Sequence, residues 1–247
     1  EESYGEDAYL SAAMGVAFVR GLQQGDLGQG VGACSKHYLG YGGGGDASEK
    51  ELMEDILMPH EAMIRLGRSL AVMPGYHVMG SEKLKAKGEK TAGAPVTCVA
   101  DSVILNDILR GYLGFDGMVV TDWNSMGEMI SHGYGADRKE VARQALEAGV
   151  DMDMMTYGFI SHLEELVRSG AVQESAIDAA VRNILRVKIL LGLFEHPYVT
   201  DTAAEAVQYA PAHLDAARRT AEESAILLKN TGLLPLDAAR TGRILVT

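Results

Sequence analysis

The sequence predicts an α/β fold on a parallel sheet, and three features carry that expectation. Short apolar runs rich in β-branched residues alternate with longer segments of helical periodicity, about 30 to 50 residues apart. Polar and ionisable residues follow directly on those apolar runs: Lys36-His37, Tyr76-His77, Asp122-Trp123 and the pair Asp151/Asp153. The pattern then changes between residues 195 and 210, where a domain boundary is expected.

The elements follow in order. VGACSKHY (31–38) is a strand candidate, and YGGGG after it reads as a loop, because neither a GKS/T nor a GxGxxG register follows to cradle phosphate. ELMEDILMPHEAMIRLG carries Leu52, Ile56, Leu57, Met63 and Ile64 at helical spacing, with Pro59 expected to break or kink the helix. SLAVMPGYH (69–77) is a second strand, and SEKLKAKGEKTAG is too polar for core and reads as an exposed loop. DSVILNDILRGYLG suits a helix capped by Asp101 or Ser102. GMVVTDW is the third strand, and DRKEVARQALEAG a helix from Asp137 to Gly149. VDMDMM (150–155) is the fourth strand. Helices over FISHLEELVRSG and ESAIDAAVRNILRVKILLG follow, the latter with Ser175 and Asp178 at capping-box spacing and Gly192 at its end. HLDAARRTAEESAILLKN is a further helix, and ILVT begins a new strand.

Composition narrows the partners. The 247 residues are 47% hydrophobic and 23% charged, ordinary for a globular protein, and no apolar run approaches the roughly 20 residues of a membrane span. A net charge of −12 argues against an electrostatic grip on nucleic acid or an anionic membrane. Cys34 and Cys98 sit in apolar contexts that favour small buried thiols, and no CxxC or Cys/His cluster suggests a metal site. No cofactor is implied. The opening EESYGEDAYL resembles neither a signal peptide nor an initiator segment, so a missing upstream piece is expected.

Four strands in a length that suits eight point to the later half of a (β/α)-barrel, a doubly wound sheet being the alternative. In either fold, chemistry gathers at the carboxyl ends of the strands. Asp122 beside Trp123 offers a carboxylate next to an aromatic platform, which suits a sugar with apolar faces and a hydroxyl rim. Lys36 and His37 could hold hydroxyls, and Tyr76 a carboxylate or a hydroxyl. From spacing alone Asp122 is as readily a helix cap, Lys36-His37 a solvated pair, and Met73 and the MDMM run core filler.

In order along the chain, ESYGEDAYL, GACSKHYLGYG, AVMPGY, GFDGMVVTDW, AGVDMDM, RNILRVKILLGLFEHPY and ILLKNTGLLPL resemble glycoside hydrolase family 3, particularly its bacterial β-glucosidases. The resemblance covers nearly the whole chain. It implies the later part of a TIM-type (β/α)-barrel over residues 1–200, then a linker helix and the first strand of an α/β sandwich domain over 201–247. It also implies retaining, exo-acting hydrolysis of β-glycosides in a secreted or periplasmic setting. Asp122 matches the catalytic nucleophile, Lys36 and His37 the pair on the glycone hydroxyls, Met73 and Tyr76 the lining of the glycone site, and Trp123 the aromatic border.

The departures matter equally. The family's upstream Asp and Trp-Gly-Arg, and its acid/base Glu from the second domain, have no match here, so the first barrel strands and the acid/base domain are expected to act as partners from outside these residues. GGGDASEK lacks the histidine of the N-acetylhexosaminidase subgroup, and the loop after Tyr76 is longer than the family implies. β-Xylosidase or α-arabinofuranosidase activity, or a carbohydrate-binding remnant without catalysis, are the alternatives.

Overall fold

The computed structural model describes residues 3–42, 47–78, 97–199, 201–237 and 239–245. The chain divides into two units, Glu1–Pro197 and Tyr198–Thr247. The first is a mixed α/β structure, mostly helical, around a small parallel sheet. Strands β1 (Cys34–Tyr38), β2 (Ala71–Pro74) and β3 (Met118–Val119) lie side by side in that order. Each is followed by helix before the next begins, as parallel neighbours require.

Helix α1 (Ala8–Gln23), which the sequence reading did not foresee, starts at Asp7, whose carboxylate accepts from Leu10 N. Its buried positions Ala12, Gly15, Val19 and Gln23 form one stripe, and that stripe packs on α3. A Cβ at Gly15 would lie 2.7 Å from Met63 Sδ, so glycine allows the two helices to close. After β1, the short α2 (Glu49–Glu51) opens on a capping box, with Ser48 Oγ accepting from Glu51 N and Glu51 accepting from Ser48 N. A π-helical stretch, Leu52–Ile56, leads into α3 (Leu57–Arg65). The expected break at Pro59 does not occur. Pro59 lies inside one continuous helical run, residues 49–65, three residues after its π-helical stretch, where the ladder is already irregular, and the helix continues past a residue that has no N–H to give.

Val103–Tyr112 is also π-helical, ending with Leu113 N on Ile108 O, and the Asp101 carboxylate accepts from Val103 N and Ile104 N at its start. Then come α4 (Ser125–Ser131), α5 (Arg138–Ala148), α6 (Gly158–Arg168) and α7 (Glu174–Leu190). Asp137 caps α5 and Gly149, at φ 106°, ends it, as its sequence suggests. α7 starts at Gln173 with no side-chain cap, so Ser175 and Asp178 are interior rather than a capping box; Glu174 instead meets the positive end of the helix dipole. Val72 and Val119 of the sheet pack with Ile104, Leu105, Leu109, Met126, Met129, Val141 and Ala145 in the main core. Leu146, Leu166, Val172 and Ala180 tie α5, α6 and α7 together. Cys98 is buried as expected, but Cys34 is exposed, on a strand with no neighbour on its outer side among the described residues.

The fourth expected strand, 150–155, forms a single bridge, Val120 to Met152. The cause is Asp151. Its Oδ2 takes the Val119 N–H at 2.7 Å, a donor that a regular ladder would give to a carbonyl. The same carboxylate accepts from Arg110 at 2.7 Å and, through Oδ1, from Asn183 Nδ2 at 2.9 Å. Asp151 therefore joins β3, the π-helix and α7 instead of facing a site. Gly117, which precedes β3, could carry no side chain, because a Cβ would sit 2.3 Å from Leu70 O.

The second unit contains α8 (Asp201–Val207) and α9 (Pro211–Ser224). α9 ends six residues earlier than the sequence suggests, since Ala225 turns extended at φ −78° and ψ 116°. Ile226, Leu227 and Leu228 are consecutive apolar residues that one helix face cannot hold together. Ile244 and Leu245 form no strand, and the rest of ILVT lies outside the described residues, as do the polar loop after Met79 and most of YGGGG. Among the described residues no helix is long and apolar enough to cross a membrane.

Asp151→Ala is expected to destabilise the protein by about 3 kcal/mol, because it strands a half-buried guanidinium and a buried strand N–H. At about 2–4 °C per kcal/mol, a calorimetric scan should show the midpoint fall by about 6–12 °C. A change below about 2 °C would refute the anchoring role.

Candidate active site

The six residues singled out by sequence sit at the carboxyl ends of β1, β2 and β3. Lys36 faces Met73 across the first strand pair, but the register slips before Tyr38 meets Pro74. His37 is thus the extra residue of a bulge, which turns its side chain inward. It is 8% exposed, and its Nε2 lies 3.2 Å from Asp122 Oδ2. Tyr41 stacks obliquely on the imidazole at 4.6 Å.

Asp122 follows β3 and is 15% exposed, open enough to meet a ligand. Its other oxygen, Oδ1, accepts from Trp123 N at 2.6 Å. The backbone here is held from two sides: Asn124 N donates to Met154 O, and the Tyr76 hydroxyl donates to Trp123 O. Tyr76 is half-buried, and its hydroxyl is pushed up to about 12, first by desolvation, then by the negative charges of Asp122 and Glu128. It therefore stays a donor at any working pH. The Trp123 indole is exposed beside the carboxylate. Met73 is half-buried and Lys36 exposed.

Of the remaining strand-end candidates, Asp153 is spent on structure. Its carboxylate accepts from Thr156, Gly158 and Phe159 N, closing the loop into α6. His77 contacts Leu39 O at 2.6 Å. Sequence reasoning missed His60, which is buried edge-on to Tyr38 (centroids 5.2 Å apart) and borders the same cavity as Lys36 and His37. It also missed Glu128 and His132. The available signal was their i, i+4 spacing directly after Asp122-Trp123, on a helix that was not anticipated.

The protein is thus an α/β protein whose parallel sheet gathers a carboxylate, an imidazole, a phenol and an exposed indole at its strand ends, the place where such folds commonly hold their ligands. The family profile described as glycosyl hydrolase family 3 N terminal domain matches residues 1–187. A β-xylosidase of Formosa agariphila is 37% identical over 97% of this chain and 34% of its own length. A periplasmic β-glucosidase of Salmonella typhimurium is 35% identical over 99% of this chain and 32% of its own. The crystal structure of a β-glucosidase from Listeria innocua in complex with glucose superposes with a TM-score of 0.83 at 32% identity, covering 95% of this chain and 32% of that one. The chain belongs to glycosyl hydrolase family 3, and it spans about a third of the length of the curated relatives it matches.

His60 makes the site's surroundings acid-sensitive. Burial, assisted by the nearby His37, lowers it from 6.5 to about 4, and its Nδ1 has no partner among the described residues. A depressed histidine contributes stability in full above about pH 6.5 and loses it as pH falls towards 4, an effect of at most about 3 kcal/mol. The unfolding midpoint should therefore drop more steeply between pH 6.5 and 4.5 in the wild type than in His60→Phe. Equal slopes would show that His60 does not carry the effect.

Proposed function

We propose that the protein is a retaining, exo-acting β-glycoside hydrolase, a β-glucosidase that releases glucose from non-reducing ends, with Asp122 as nucleophile. The observation that carries this reading is the setting of Asp122. It stands at the carboxyl end of β3, its oxygens held by His37 and Trp123 N, beside an exposed indole and within the electrostatic reach of Tyr76. The finer architecture belongs to the same proposal. Residues 1–200 are read as the later strands of a (β/α)-barrel, and 201–247 as a linker helix and the start of a second α/β domain.

In this reading, a carboxylate oxygen of Asp122 attacks the anomeric carbon while the bond to the leaving oxygen breaks, giving a glycosyl ester. The leaving oxygen takes a proton from a second carboxyl group. Water then attacks the same carbon, returns a proton to that group, and frees the Asp122 carboxylate. No residue of this chain is assigned as that second carboxyl. Lys36 and His37 hold glycone hydroxyls, and Met73 and Tyr76 line the ring. Tyr76 also fixes the backbone after the nucleophile through Trp123 O. The aromatic face of Trp123 lies against the apolar face of the substrate.

A β-xylosidase is the second reading, favoured by the Formosa agariphila relative. The ratio of rates on 4-nitrophenyl β-glucoside and β-xyloside decides between the two.

A 2-fluoro-β-glycoside bearing a good leaving group, applied to the longest natural polypeptide that contains this chain, is expected to trap an ester on Asp122, visible by peptide mass mapping. Asp122→Asn should lower kcat by about 10³-fold or more. A label on another residue would overturn the assignment. Sugar binding with no turnover, unchanged in Asp122→Asn, would favour a non-catalytic binding protein.

A further inference from the structure

Next to Asp122 lies a second space, of about 530 Å³, lined by Tyr76, Trp123, Asn124, Glu128, His132 and Met155. That size is within the range of small-molecule sites. We propose that Glu128 and His132 form a site that reads the hydroxyls of the leaving group, so that the enzyme prefers a second sugar ring over a flat aromatic aglycone. The proposal rests on the hydrolase reading and deepens it.

Three observations support it. First, Glu128 and His132 are one helical turn apart, at the body and end of α4, and project to the same side. Glu128 is half-buried and borders an indole and a thioether in that space. A carboxylate beside such surface can accept from vicinal sugar hydroxyls. Second, Glu128 lines the same space as Tyr76 and the exposed Trp123, which sets its carboxylate beside the groups that flank the nucleophile. Third, two walls of the space are built from backbone that non-glycine residues rarely adopt. Asn124 has φ 53° and Met155 φ 67°, and the Asn124 N–H to Met154 O bond ties the two segments together. Left-handed non-glycine residues persist where the surroundings enforce them, and they cluster at binding sites.

The chemistry fits a pyranose with a hydroxyl rim. Its apolar face can lie on Trp123 and Met155, while Glu128 accepts from one or two hydroxyls and the His132 imidazole meets another. A nitrophenyl ring would use the same apolar surface and leave Glu128 unanswered.

The test uses the longest natural polypeptide and two substrates with the same glycone, a β-linked disaccharide and the 4-nitrophenyl β-glycoside. Glu128→Gln and Glu128→Ala are expected to lower kcat/KM on the disaccharide by about 10- to 100-fold. On the aryl glycoside the change should stay below about twofold. His132→Gln should show a smaller loss in the same direction. Trapping of Asp122 by the 2-fluoro reagent, and an unchanged unfolding midpoint, confirm intact variants. Parallel losses on both substrates would mean that Glu128 acts through Tyr76 and would overturn the proposal, as would no loss on either. Absence of turnover of both substrates by the wild type would overturn the hydrolase reading and this inference with it. A flat Glu128 series in an active enzyme would overturn this inference alone.

Discussion

The contact between His37 and Asp122 depends on a one-residue slip in β1. Without the slip between Lys36 and Tyr38, period-2 alternation would carry His37 to the opposite face, towards the helices. The extra residue brings a buried imidazole within 3.2 Å of a carboxylate that arrives from β3, two strands away. The remaining groups of the site are placed relative to that meeting point. Lys36 and Met73 flank it, Tyr76 reaches across from beyond β2, and Trp123 follows from the carboxylate itself. A sheet with so few paired residues would hold this geometry poorly by its ladder alone. The helices packed behind Val72 and Val119 make it stiff.

A division of labour among the carboxylates follows. Asp122, Asp151 and Asp153 lie within about thirty residues of one another, each directly after β3 or next to the bridge that joins Val120 to Met152, yet their surroundings separate them. Asp151 is walled in by Arg110, Asn183 and a strand N–H; burial raises its pKa and those partners oppose the rise. Asp153 is consumed by three backbone donors ahead of α6. Asp122 carries one neighbour on each oxygen, His37 and Trp123 N, and stays partly exposed. Type and position in sequence do not separate these residues; the donors that surround each one do.

How far the sequence spoke can be judged from particular elements. The three paired strands and helix α5, with Asp137 and Gly149 at its ends, were legible because apolar period and capping chemistry agree there. The grouping of Lys36, His37, Tyr76 and Asp122 was legible because a parallel sheet brings strand ends together. The failures have physical causes. The strand at 150–155 was lost because a side chain, Asp151, took the place of a backbone acceptor. Pro59 did not end its helix because it follows a π-helical stretch whose ladder is already irregular. α1 and α4 escaped notice, α1 because its small-residue stripe of Ala12 and Gly15 is only weakly apolar, and with α4 went Glu128 and His132. The bulge at His37 depends on the register between strands distant in sequence, which local patterning cannot encode.

The bond from Tyr76 to Trp123 ends on a main-chain carbonyl, not on the indole. The brace that steadies the carboxylate's neighbour is therefore indifferent to which side chain occupies position 123. Natural drift could exchange that aromatic surface for another without loosening the seat of Asp122. New preferences for the outer part of a ligand could arise while the inner chemistry is inherited intact.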